Sequence, residues 1–270
     1  MQVKRRVYIT NVELSVRSGY NGSLMMFIAS LIIVSLGIFL TIKGVLKPKI
    51  RRLAGIDALD EMIGRATELG RPVHFTVGLG GIGNPQVIAG LSIARYVARR
   101  CAELGVRFLF TFSVPSVQPI ATDLIKQAYV EAGKADAFSP DNVIWLSDRQ
   151  FAFATGVMGL VLREKAAANM LLGYFAAESL IFAEAGYRAG AMQIAGTTNS
   201  YQIPFFIVTC DYTLISIELI YAGAYMSQEP RQIGTILGQD YLILIGLVLM
   251  GVGAVLYGLG IQTLTAWLAL

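Results

Sequence analysis

The feature that most constrains this chain is a run of nineteen residues without a charge, Leu24 to Ile42 (LMMFIASLIIVSLGIFLTI). As a helix rising about 1.5 Å per residue it reaches roughly 28 Å, the thickness of a bilayer's hydrocarbon core. It is too long for a signal peptide, begins late, and lacks a small-residue cleavage site before Lys43. A second run, Tyr241 to Ile261 (YLILIGLVLMGVGAVLYGLGI), has the same character. The chain therefore reads as an integral membrane protein, with the lipid bilayer as its first partner. The expected organisation is an extracytoplasmic segment 1–23, transmembrane helices 24–42 and 241–261, a cytoplasmic domain 43–240 between them, and an extracytoplasmic tail 262–270.

Charge supports that orientation. Lys43, Lys47, Lys49, Arg51 and Arg52 crowd the stretch after Ile42, whereas only Arg17 lies close before Leu24, a positive-inside bias. The net charge of +4 sits beside the membrane, where anionic lipid attracts it. From Leu53 to Arg231 the acids number sixteen and the bases thirteen, so the domain offers no basic face and nucleic acid is not an expected partner. The hydrophobic share of 55% and the charged share of 15% leave more apolar surface than a soluble domain carries.

Small residues recur every seven positions in both runs, at Ser30, Gly37 and Gly44 and at Gly246, Gly253 and Gly260. Such a stripe lets another helix approach closely, although glycine is also common in membrane helices generally.

Between the runs, helical and strand-like segments alternate. Helix 57–69 precedes strand VHFTV (73–77). Helix 85–104 opens on Asn84 as cap and Pro85 in the first turn. Strand 107–112, helix 118–132, strand 142–147, helix 149–165, strand 169–175 and helix 177–186 follow. Strands 191–196 and 204–210 and a helix 212–227 complete the expected series. Strands apolar on both faces and separated by helices argue for an α/β fold: a Rossmann-like, mostly parallel sheet with helices on both faces, plus the two transmembrane helices. From Ala166 to Gln228 only Glu178, Glu184, Arg188, Asp211 and Glu218 are charged. Helices 177–189 and 212–227 thus read as half-buried on the side that meets water. Homo-oligomerisation through them is expected, with Ile181→Asp and Leu219→Asp as the substitutions that would break it.

The most suggestive motif is Gly78-Leu79-Gly80-Gly81-Ile82-Gly83, followed by Asn84. A GxGxxG between strand and helix lets a phosphate reach backbone N–H groups. Here every glycine precedes the helix, and FTFSVPS stands where an acid is expected after the second strand, so a close-packed turn competes with phosphate binding. In a parallel sheet, ligands sit beyond the carboxyl ends of the strands. Ser113, then Asp148 and Arg149, then Thr197, Thr198 and Asn199, and finally Asp211 fall there in this reading. They make either a crevice, in which Arg149 faces an anion and Asp211 or Glu178 is a base, or a set of helix caps. No catalytic or metal set stands out, and no cofactor is indicated. The two cysteines, Cys101 and Cys210, have no metal spacing, and the single histidine, His74, reads as a core residue.

The segments GRPVHFTVGLGGI (70–82), GTTNSYQIPFFIVTCDYTLISIELIYAGAYMSQEP (196–230) and LGQD (237–240) resemble an uncharacterised family of prokaryotic membrane proteins, domain of unknown function 6754. The resemblance implies a prokaryotic cell membrane and carries no activity, cofactor or site residue. The expected role is therefore a membrane-anchored, homo-oligomerising scaffold, with further membrane-complex subunits as candidate partners. The alternative is a nucleotide- or phosphate-binding sensor or enzyme using the glycine turn.

Overall fold

The computed structural model describes residues 26–45 and 54–260. The expected segment 1–23, most of the basic cluster after Ile42, and the tail 262–270 lie outside the described residues. The chain divides into two compact units: Met1–Lys49 together with Glu229–Leu270, and Ile50–Gln228.

In the first unit, α1 (Met26–Ile42) ends where Gly44 turns left-handed, at φ 70°. The second helix of this unit runs from Pro230 to Gly258, with Pro230 in its first turn, and so begins well before the apolar run at Tyr241. It alone among the described residues is long and apolar enough to cross a membrane, with mean hydropathy 2.2 over its most apolar window. The expectation of two spanning helices is thus corrected to one. The described part of α1 is shorter than the roughly 20 residues a span requires. The two helices pack antiparallel through glycine. A Cβ on Gly37 would lie 3.0 Å from the Gly234 carbonyl oxygen, and one on Gly238 would lie 2.7 Å from the Val34 Cα. The predicted stripe is therefore half right. Gly37 makes the close approach, but its partners are Gly234 and Gly238, while Gly246 and Gly260 face open space.

The second unit is the α/β domain. Its elements are α2 (Ala54–Leu69), β1 (Val73–Gly78), α3 (Pro85–Leu104), β2 (Phe108–Phe112), α4 (Gln118–Glu131), β3 (Val143–Trp145), α5 (Gln150–Glu164), β4 (Ala168–Tyr174), α6 (Ser179–Ala189), β5 (Met192–Thr197), α7 (Ile203–Thr209), β6 (Tyr212–Ile215) and α8 (Glu218–Ser227). With these, the membrane-length helix is α9. All six strands are parallel, in the order β3-β2-β1-β4-β5-β6. That is the doubly wound Rossmann order, whose direction of winding reverses between β1 and β4.

Because successive side chains alternate across a strand, β4 and β5 feed two cores, one on each face of the sheet. On one face Phe75, Phe108 and Phe110 meet α2, α3, α4 and α8; on the other, Leu171 and Phe175 meet Phe153 of α5, Phe182 of α6 and Phe206 of α7. The apparent excess of apolar surface on helix 212–227 has an internal explanation. α8 packs on α3 so tightly that a Cβ on Gly223 would lie 2.7 Å from the Ala89 Cα, and Leu219 is fully buried.

One segment was misassigned. The segment expected as strand 204–210 forms the helix Ile203–Thr209, and the last strand is Tyr212–Ile215. A short apolar run reads alike as strand or buried helix. The arbiter is connectivity, since two adjacent parallel strands need a crossover between them, and α7 supplies it from β5 to β6.

Candidate functional site

The carboxyl edge of the sheet gathers the β1–α3 loop, Ser113 after β2, Asp148 and Arg149 after β3, Glu178 after β4, and Thr197–Asn199 after β5. Asp211 is not among them. It precedes β6, so it lies at the amino edge, where its Oδ2 accepts the Gln193 N–H at 2.7 Å. The misread strand had placed it on the wrong side.

Two of the four loop glycines are required by packing. Gly78 has φ 74°, and a Cβ there would overlap the Tyr174 carbonyl oxygen; one on Gly80 would come 2.5 Å from Cγ2 of Val87. The Leu79 N–H donates to the same Tyr174 carbonyl at 2.9 Å, tying the ends of β1 and β4 together. Gly81 and Gly83 leave room, with nothing within 4 Å of a Cβ on Gly83. The helix N-terminus itself is already satisfied. Asn84 Oδ1 accepts the Gln86 N–H at 2.9 Å, and the Asn84 carbonyl accepts those of Val87 and Ile88. With Pro85 lacking an N–H, none of these helix amides is left for a phosphate. Only the loop amides of Gly80 to Gly83 remain as candidate donors.

The other polar groups are largely engaged internally. The Gln86 amide oxygen accepts from Thr197 Oγ1 at 2.9 Å and from the Thr198 N–H at 2.7 Å, pinning the β5 loop to the start of α3. Asn199 Nδ2 donates to the Phe175 carbonyl at 2.9 Å, and its Oδ1 accepts the Tyr201 N–H. Glu178, fully buried, accepts from Gln150 Nε2 at 2.7 Å and from the Ala176 N–H at 2.9 Å. Ser179 donates to Gln202 Oε1 at 2.5 Å. Ser113 is buried, and its carbonyl accepts the Trp145 indole N–H at 2.8 Å. Asp148 and Arg149 are exposed, on the loop where the Arg149 N–H donates to Ser147 Oγ. The residues that sequence reasoning missed are the glutamines Gln86, Gln150 and Gln202. Nothing in their local pattern marks them, because their role exists only when distant segments meet.

A buried polar line runs across four strands. Thr111 Oγ1 lies 2.9 Å from His74 Nε2, His74 Nδ1 lies 2.7 Å from Asn169 Oδ1, and Asn169 Nδ2 donates to Gln193 Oε1 at 2.9 Å. Asn169 Oδ1 can only accept, so His74 carries its proton on Nδ1 and Nε2 accepts the Thr111 hydroxyl. Burial pushes the His74 pKa down to about 4, against the opposing pull of the Asn169 bond. The thiols are inert for the same reason: burial raises Cys101 strongly and Cys210 to about 11. Among the described residues no three His, Cys, Asp or Glu side chains cluster as metal ligands. A cavity of about 460 Å³ does exist, but at the amino edge, between Cys101, Gly105, Arg107, Tyr129, Ser139 and Asn142. Its one cation, Arg107, is already held by Glu164 at 2.9 Å and Asn142 at 3.2 Å.

Fold and edge together define a Rossmann-ordered α/β protein whose chain continues into a helix of membrane length. The chain belongs to the family described as domain of unknown function DUF6754, whose model matches residues 16–268. No curated protein matches it, and neither does any solved structure.

Proposed function

We propose that the chain is a membrane-anchored structural subunit that assembles with copies of itself and holds its α/β domain at the cytoplasmic face of a prokaryotic cell membrane. α9 is the anchor, with α1 packed antiparallel against it. The observation that carries this reading is the state of the strand-end crevice. Its buried polar groups bond to one another through Gln86, Gln150 and Gln202, an arrangement that rigidifies an edge and leaves little to receive a substrate. Native mass spectrometry of the detergent-solubilised chain tests it. A discrete oligomer without small-molecule adduct is expected; a monomer would refute it. Leu219→Asp is unsuited as a companion variant, since Leu219 is fully buried and the change would unfold the domain.

A second reading, a nucleotide- or phosphate-binding protein, is favoured by one observation. The glycine loop follows β1, beside the switch between β1 and β4 where ligands of this strand order bind. In it, the amides of Gly80 to Gly83 hold the anion and Arg149 faces it. Gly81→Ala and Gly83→Ala test it, because both positions accept a Cβ without overlap. A nucleotide-sized adduct lost in these variants would establish this reading over the first.

A further inference from the structure

We propose that the cavity at the amino edge of the sheet binds a small uncharged heterocycle carrying a cyclic amide, an N–H beside a C=O, as guanine does. The inference stands apart from both readings above, which concern self-assembly and the carboxyl edge. The cavity holds about 460 Å³, a volume usual for small-molecule sites, between the end of α3, α4 and the turn before β3. Tyr129 forms its inner wall, 4% exposed and with its ring set edge-on against Phe138 at 5.8 Å between centroids. A buried hydroxyl ordinarily donates to a partner, yet among the described residues the hydrogen of the Tyr129 hydroxyl has no acceptor, so it is left to whatever enters the cavity.

The charges around the cavity argue against an ion. Arg107 is compensated by Glu164 at 2.9 Å, while Asp141 on the exposed rim has no basic partner among the described residues. An anion would meet Asp141 and the negative C-terminal end of α3 at Gly105. A simple amine would leave two donors unanswered, the Tyr129 hydroxyl and the Asn142 Nδ2, since Asn142 spends only its oxygen, on Arg107 at 3.2 Å. A cyclic amide answers both signs. Its C=O accepts from Tyr129 and Asn142, and its N–H donates to the Asp141 carboxylate, which is otherwise met only by Ser139 at 3.5 Å. Ala102 and Val106, apolar and buried, cover the ring.

The test adds guanosine to the full detergent-solubilised chain, because so exposed a rim releases its occupant during purification, and reads affinity by calorimetry and integrity by thermal melting. Adenosine, which lacks the cyclic amide, is the control and should bind roughly tenfold more weakly or worse. Tyr129→Phe removes only an oxygen whose hydrogen goes unaccepted within the chain; its melt should hold while guanosine binds roughly fivefold more weakly. Asp141→Asn, on the exposed rim, should weaken guanosine about tenfold and shift preference toward xanthosine, which carries an oxygen in place of the amino group. Equal affinity for guanosine and adenosine, no guanosine binding at millimolar concentration, or guanosine affinity that both variants leave unchanged overturns the proposal. Binding lost in Gly81→Ala yet kept in Asp141→Asn also overturns it, and moves the ligand to the glycine loop. If one variant melts early, the other decides alone.

Discussion

The Nδ1 of His74 on β1 lies 2.7 Å from Oδ1 of Asn169 on β4, and this bond crosses the switch point at the centre of the sheet. Both side chains are fully buried, and each further donor in the line finds an acceptor: Asn169 Nδ2 reaches the Phe182 carbonyl and Gln193, whose own Nε2 reaches the Ala183 carbonyl. A satisfied line of this kind fixes the register of neighbouring strands, because slipping one residue would send each polar group to the opposite, apolar face.

Since His74 is the chain's only histidine, the pH dependence of stability between about 7 and 5 reports on it. Its folded pKa of about 4 lies below the unfolded value of 6.5, so the unfolded state takes up the proton first. Stability is full above 6.5, falls as the pH drops, and levels off below 4. The loss by pH 5 comes to about 2 kcal/mol. Thermal melts of the solubilised protein at pH 7.5 and 5 check this. His74→Gln should be less stable at pH 7.5 and nearly flat across the same window.

Arg71 gathers three carbonyl oxygens where helices end. Its Nε donates to Lys165, and its Nη2 donates to Ala166 at 3.3 Å and to Ala189 at 2.6 Å. A planar fork is needed to serve the ends of α5 and α6 together. Arg71→Lys keeps the charge but loses the fork, and a loss of about 1–2 kcal/mol in denaturant unfolding is expected.

In the first unit, Gly37→Leu should force α1 and α9 apart, since even a Cβ there lies 3.0 Å from the Gly234 carbonyl oxygen. Gly246→Leu should leave them together, because its Cβ meets nothing within 4 Å. Thermal melting of the detergent-solubilised chain distinguishes the two: lowered in the Gly37 variant and unchanged in the Gly246 variant.

The glycine loop divides in the same manner. Gly78→Ala meets both an unfavourable φ and the Tyr174 carbonyl, and should cost more than 2 kcal/mol. Gly83→Ala, at an open position, should leave the melting temperature within about a degree or two. Equal losses at both positions would contradict this account of the loop.

The helix Pro85–Leu104 was legible to the residue, because Asn84 supplies a cap, Pro85 a first turn and Gly105 a left-handed end. The apolar runs likewise set a minimum on where membrane-compatible surface lies. The alternation of strand and helix from Val73 to Ala189 was legible too, punctuated by Gly and Pro and too apolar for anything but a covered sheet. Other features were decided only in three dimensions. PFFIVTC and YTLI are equally apolar, and only the need for a crossover to the edge of a parallel sheet makes the first α7 and the second β6. That exchange removed Asp211 from the candidate site. Gln86 and Thr197 stand far apart in the chain and meet only after β1 and β5 are placed on either side of β4. The glycines facing Gly37 were missed because helix contact depends on which turns come opposite after the chain folds back, whereas periodicity describes each helix alone. Composition and period therefore determined which segments exist and which surfaces are apolar. Which polar groups remain free for chemistry depended on long-range pairing, because a donor's availability is set by the neighbour that folding brings to it.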